Sequence, residues 1–148
     1  MGLKDQITAA MKSAMKAKDS QRLGIIRLIL SECKRVEVDE RIELSDERII
    51  AILDKMTKQR RDSARQYADA GRQDLEDQEN FEISVIAEYL PAALGEAELA
   101  GIIDQCVAEA GATSAKDMGK VMALLKPRIQ GRADMGAASQ AVKAKLGN

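Results

Sequence analysis

The chain has 148 residues, 23 Lys/Arg against 24 Asp/Glu, and no His, for a formal net charge of −1. The missing imidazole excludes Ser-His-Asp, Cys-His and His-metal catalysis, because His is the usual base, nucleophile activator and zinc ligand near neutral pH. One Phe, two Tyr, no Trp and two Pro stand among abundant strong helix formers, and this composition predicts an all-α fold.

Leu3, Ile7, Ala10, Met11, Ala14 and Met15 recur at helical spacing, with Lys12, Lys16 and Lys18 outward, and mark a first amphipathic helix from about Leu3 to Ala17. Asp19 or Ser20 caps a second helix. Its apolar residues Leu23, Ile25, Ile26, Ile29, Leu30, Cys33 and Val36 fill an arc wide enough for several neighbours. A charged connection over 38–44 leads to Ser45, the expected cap of a long third helix with Asp46 and Glu47 near its positive end. Ile49, Ile52, Leu53, Met56, Ser63 and Tyr67 mark its inner face, and at ~100° per residue Lys55, Lys58, Arg61 and Arg65 fall opposite. Gly71 is the expected stop.

Past Gly71 the charge changes sign. Asp74, Glu76, Asp77, Glu79, Glu82 and Glu88 accumulate, and no Lys or Arg occurs between Arg72 and Lys116. The basic third and acidic fourth helices are therefore expected to form an antiparallel pair. Ile83, Val85, Ile86, Tyr89 and Leu90 supply the apolar side of the fourth, which Pro91 ends because the residue before a proline is pushed out of the α region. The Pro91–Gly95 cluster marks a boundary between an N-terminal domain of about four helices, 1–91, and a C-terminal three-helix module, 95–148.

In that module Leu99, Ile102, Ile103, Cys106, Val107 and Ala110 form a clean stripe closed by Gly111. Ser114 caps a shorter helix with Met118, Val121, Met122 and Leu125 inward, and Lys126-Pro127 is expected to stop it. Gly131 turns the chain, and Asp134 caps a last helix with Met135, Ala138, Val142 and Leu146 inward. Cys33 and Cys106 lie on apolar helix sides, as small buried hydrophobes rather than a disulfide or metal site. No cofactor and no metal is expected.

From Ala112 onward, seven Lys/Arg face two acids, a local balance of +5 in a chain of net −1. Such a patch is a footprint for a polyanion. Lys116 and Lys120 lie four residues apart beside Gly119 and Ala123, so a sugar-phosphate backbone could approach the helix closely while ammonium groups neutralise it. Lys126, Arg128 and Arg132 extend the candidate site. Asp117-Met118-Gly119-Lys120 lacks the first glycine and the Ser/Thr of a Walker loop, so a nucleotide site is not indicated. Lys55, Lys58, Arg61 and Arg65 form a secondary basic face, diluted by Asp54, Asp62 and Asp69 and read first as a solvated helix surface. Scarce aromatics disfavour base stacking and favour a folded RNA met through shape and backbone. No window approaches the ~18 apolar residues of a membrane span, and the first residues lack the apolar core of a signal peptide. The expected location is the cytoplasm, with no membrane partner.

Lys58-Gln59-Arg60-Arg61-Asp62-Ser63, Ala70-Gly71-Arg72-Gln73-Asp74-Leu75, Tyr89-Leu90-Pro91, Lys116-Asp117-Met118-Gly119-Lys120-Val121-Met122 and Gly131-Arg132-Ala133-Asp134 resemble, in order and spacing, the GatB/YqeY family. The resemblance implies a stand-alone helical protein of two parts. Its C-terminal part would be similar to the tail of the B subunit of the glutamine-dependent aspartyl/glutamyl-tRNA amidotransferase, which grips the tRNA body while amide transfer occurs in other domains. This chain has no counterpart of those catalytic domains, so carbon-nitrogen ligase activity attached to such a chain would be inherited by name. Two functions follow as expectations: a non-catalytic adaptor for tRNA or another structured RNA, or a module that docks on a tRNA amidotransferase or tRNA-processing complex through the acidic stretch Asp74 to Glu82.

Overall fold

Polar caps and left-handed stops set the helix boundaries in the computed structural model, which describes residues 2–147. The chain divides into two units, one ending at Leu90 and one beginning at Pro91. In the first, α1 (Leu3–Lys16), α2 (Ser20–Glu40), α3 (Asp46–Asp69) and α4 (Gln73–Ala87) follow one another. The Asp19 carboxylate accepts the Arg22 N–H at 3.1 Å, and the Ser45 hydroxyl accepts the Arg48 N–H at 3.3 Å, so α2 and α3 each start on their own side-chain cap. Gly71, at φ +71°, closes α3; its N–H reaches the Ala68 carbonyl at 3.1 Å and the Arg72 N–H reaches that of Tyr67 at 2.9 Å. Among the described residues the fold is all-α, with no strand.

α2 is the spine of this unit and touches α1, α3 and α4. Ile25, Ile26, Ile29 and Cys33 are buried on it, against Ile7 of α1, Ile49 and Leu53 of α3 and Ile86 of α4. Burying each large aliphatic side chain is worth about 1.5–3 kcal/mol, so this cluster dominates the unit's stability. Met15 is 49% exposed, against expectation, because the buried line of α1 runs through Leu3, Ile7 and Ala14 and leaves Met15 about 100° further round. On α3 the inner line passes through Thr57 and Ala64; Ser63 and Tyr67 lie half-buried at its margin. The buried Thr57 hydroxyl donates to the Leu53 carbonyl at 2.9 Å, which meets its need for a partner.

α2 also runs further than expected, to Glu40, and the connection shortens to 41–45. Nothing between Val36 and Glu40 breaks a helix; the stop comes from Arg41 at φ +56°, where a left-handed cap is held without glycine. The last turn of α2 is fastened at both sides, by Lys4–Glu37 at 2.7 Å and Arg48–Glu40 at 2.6 Å. α3 and α4 pack together as a helical hairpin, joined by the half-buried Arg60–Glu82 pair at 3.3 Å.

The second unit contains α5 (Glu96–Ala110), a 3-10 turn (Ala115–Asp117), α6 (Met118–Ile129) and α7 (Met135–Leu146). Ile103, Cys106, Val121, Leu125, Ile129, Ala138 and Val142 form its core. Pro127 does not stop α6 but lies inside it. The ring leaves only the Ala123 carbonyl without its usual donor; both residues are exposed, so water can serve that carbonyl, while fully buried Ile129 holds the next turn in place. Gly131, at φ +74°, then reverses the chain, and the Asp134 carboxylate caps α7 through the Ala137 N–H at 2.9 Å. Cys33 and Cys106 are both buried free thiols, and burial raises the pKa of each. No helix among the described residues is long and apolar enough to cross a membrane.

Candidate functional site

The approach to α6 is built by a reciprocal cap. The Ser114 side chain accepts the Asp117 N–H, and the Asp117 carboxylate accepts the N–H of Thr113 at 2.9 Å and of Ser114 at 3.4 Å. These backbone donors hold the Asp117 carboxyl below the usual carboxylate range, with Lys120 adding to the effect. The one acid in this stretch is thereby committed to the fold.

Lys116 sits in the 3-10 turn rather than on α6, so the expected four-residue pairing with Lys120 on one regular helix does not hold. Both side chains are nonetheless exposed. At ~100° per residue, Gly119, Lys120, Ala123, Lys126 and Pro127 fall within about 120° of arc, opposite the buried Val121, Leu125 and Ile129. All five are exposed. Among the described residues no carboxylate lies within ion-pair distance of Lys116, Lys120 or Lys126. A Cβ placed on Gly119 would meet nothing within 4 Å, so the glycine is not there to admit a neighbouring helix within the unit; Gly24 and Gly101 are equally open.

Arg128 and Arg132 stand differently. Arg128 lies at the edge of the buried arc, where its guanidinium pairs with Glu109 of α5 and meets the Cys106 sulfur at 3.5 Å. Arg132 donates from Nε to the Ala92 carbonyl at 3.1 Å, and its own carbonyl accepts the Leu94 N–H at 2.8 Å. Both arginines thus hold parts of the unit together. Lys143 is exposed on α7, and Lys145 pairs with Asp104 at 2.6 Å.

On α3, Lys55, Lys58, Arg61 and Arg65 are all exposed, but exposed Asp62 and Asp69 share their side of the helix. The acidic stretch of α4 is largely occupied: Asp74 pairs with Arg72 at 3.0 Å, Asp77 accepts from Gln73 at 2.7 Å, and Glu82 serves Arg60. Burial raises the Glu79 carboxyl pKa. Among the described residues no group of three or more His, Cys, Asp or Glu side chains could hold a metal ion.

Comparison with known sequences is decisive at the level of family. The family described as Yqey-like protein matches residues 4–146. The chain belongs to the YqeY-like family. Curated relatives carry the name altered inheritance of mitochondria protein 41, mitochondrial. The one from Clavispora lusitaniae is 39% identical over 89 residues, covering 58% of this chain and 52% of its own length. That from Vanderwaltozyma polyspora is 36% identical over 91 residues, 61% and 47% of the two chains. The Eremothecium gossypii protein is 36% identical over 107 residues, 70% and 58%. The chain spans about half the length of the curated relatives it matches.

In this YqeY-like chain, sequence reasoning missed the Arg60–Glu82 clasp and the tether from Arg132 to residues 92–94. The first carried a faint signal, since Arg60 falls on the inward side of α3 by periodicity. The second carried none, because its partners are 40 residues apart in the chain.

Proposed function

We propose that this YqeY-like chain is a non-catalytic binding protein for tRNA or another folded RNA, acting in the cytoplasm through its C-terminal unit. The observation that carries this assignment is the trio Lys116, Lys120 and Lys126, exposed and without carboxylate partners, with Lys120 and Lys126 on the same side of α6 as the bare backbone of Gly119 and Lys116 in the turn that leads into the helix. A phosphate backbone laid along α6 would meet three ammonium groups and release its condensed counterions. Phe81, Tyr67 and Tyr89 are all half-buried and belong to the first unit, so the C-terminal unit has no aromatic platform of its own for bases, which favours recognition through backbone and shape. Arg128 and Arg132 add positive charge at the margin while they hold α5 and the 92–94 segment. The resemblance of this unit to the tail of the amidotransferase B subunit, which grips tRNA, points the same way.

Filter binding of the full chain to folded tRNA over a range of salt concentrations tests this. With about three phosphates neutralised, log affinity should fall against log salt with a slope of roughly −2 to −3. Binding should differ little between tRNA species. A salt-independent affinity, or one untouched by reversing the three lysines in a folded protein, would reject the assignment.

A further inference from the structure

α3 packs chiefly on α4 and only lightly on α2, and this leaves a groove of about 540 Å³ between α2 and α3. Its floor is apolar, with Leu28, Val36, Ile52 and Met56 among its lining residues. Its rims are cationic: Arg35 on the α2 side, Arg48 and Lys55 on the α3 side, with Glu32 the one acid in the lining. Four large hydrophobic side chains are exposed among the described residues, and three of them, Leu28 at 50%, Val38 at 61% and Ile42 at 39%, belong to α2 or its C-terminal connection. At ~100° per residue Leu28, Arg35 and Val38 fall on one side of that helix, and Ile42 lies in the connection beyond the left-handed Arg41. Leaving such side chains in water is unfavourable, and an apolar groove that opens on exposed Leu28 has the form of a helix-receiving site.

We propose that this groove receives an acidic amphipathic helix from a partner protein. Arg48 to Arg60 of α3 spans about 18 Å at 1.5 Å per residue, which suits an occupant of roughly three turns. Its leucine-like residues, spaced i, i+3 or i+4, and i+7, would cover Leu28 and the floor, and carboxylates on its two flanks would face Arg35 on one side and Arg48 and Lys55 on the other. Arg35 is held by Glu32 at 2.9 Å and Asp39 at 3.4 Å, and Arg48 by Glu40 at 2.6 Å, all at exposed positions. Exposed pairs of this kind are worth at most about 1 kcal/mol, so their arginines can exchange partners when a ligand arrives. Lys55 has no carboxylate within ion-pair distance among the described residues. A second copy docked through the same groove would set cation against cation, and among the described residues the one large apolar side chain exposed outside α2 and its connection is Met15, which is flanked by Lys12 and Lys16 on α1. RNA is a poorer match, since the apolar side chains in the lining offer nothing to phosphate.

The test uses the full chain labelled with nitrogen-15 and a set of fourteen-residue helical peptides with one leucine stripe and Glu, Gln or Lys flanks. The Glu-flanked peptide should bind saturably and shift the amides of Leu28, Ser31, Ala51 and Lys55, with at least tenfold weaker binding for the Lys-flanked peptide. Leu28→Glu should weaken binding tenfold or more. Lys55→Glu should weaken the Glu-flanked peptide severalfold and strengthen the Lys-flanked one, a reversal that mere unfolding cannot produce. Lys120→Glu, outside the groove, should change neither affinity. No saturable binding by the Glu-flanked peptide, equal affinity for Glu and Lys flanks, or shifts confined to other helices would overturn the assignment. So would displacement of the peptide by an RNA hairpin that shifts the same amides, or a concentration-dependent dimer abolished by Leu28→Glu.

Discussion

The basic side of α3 and the basic side of α6 look alike by count of charge, yet they differ in what surrounds each cation. On α3 the cations share their face with exposed Asp62 and Asp69. At α6 the nearest acid, Asp117, is spent on the N–H groups of Thr113 and Ser114, which leaves Lys120 and Lys126 beside an open stretch of helix backbone and Lys116 in the turn before it. A polyanion responds to the local balance of charge and to how closely its backbone can approach, because exposed charges beyond about 10 Å are screened at ordinary salt. The two faces should therefore bind RNA very differently, although each carries several positive groups.

The largest effect should come from reversing each face in turn. Lys116→Glu with Lys120→Glu and Lys126→Glu should lower tRNA affinity by roughly 100-fold or more at moderate salt, since each lost phosphate contact also reduces the salt slope by about 0.7–0.9. Reversal of Lys58, Arg61 and Arg65 should cost only about threefold. Equal losses in filter binding would erase the distinction between the faces.

A smaller change follows from blocking approach without touching charge. Gly119→Leu should weaken tRNA binding by about tenfold if phosphates pass close to the helix, as expected of backbone contacts that position a ligand. Gly119→Ala should meanwhile raise stability by about 0.5–1 kcal/mol, because a glycine inside a helix costs that much and the new methyl meets no neighbour within 4 Å. Thermal melts and binding curves on the same two variants separate these effects. Unchanged binding by Gly119→Leu would leave charge as the sole difference between the faces.

Arg132 tests where binding ends and scaffolding begins. Arg132→Lys keeps the charge but cannot reproduce the Nε donation to the Ala92 carbonyl. Limited proteolysis should cut within residues 91–95 severalfold faster, while tRNA affinity should change less than twofold. An intact tether with a large binding loss would move Arg132 from scaffold to contact.

The smallest effect concerns Asp117. Its folded-state pKa is lowered, so its contribution to stability is fully present above the ordinary carboxylate range and fades as pH falls through the lowered folded value. Asp117→Asn should be less stable than the parent near neutral pH, and the difference should shrink in acid, read by denaturant titration at several pH values. Removing this carboxylate should also tighten tRNA binding by about twofold. A constant stability gap across pH would show that the cap acts through shape rather than charge.

Local chemistry made much of the fold readable from the sequence alone. Asp19, Ser45 and Asp134 announce helix starts, Gly71 and Gly111 announce stops, and the apolar stripes of α2 and α5 name their buried sides, because caps and periodicity act within a turn or two of chain. The basic excess of the last third was equally plain. Only the tertiary structure decided which cations are spoken for. Arg60 finds Glu82 at a separation of 22 residues, Arg128 finds Glu109 at 19, and Arg132 finds Ala92 at 40, and no local rule specifies such partners. Packing likewise overrode local signals at Pro127, where buried Ile129 carries α6 past a residue that ordinarily ends a helix, and at Arg41, which closes α2 without a glycine. Short-range hydrogen bonds determine where helices begin and end, whereas the counter-ion of a long side chain and the persistence of a turn depend on what the folded chain brings beside them.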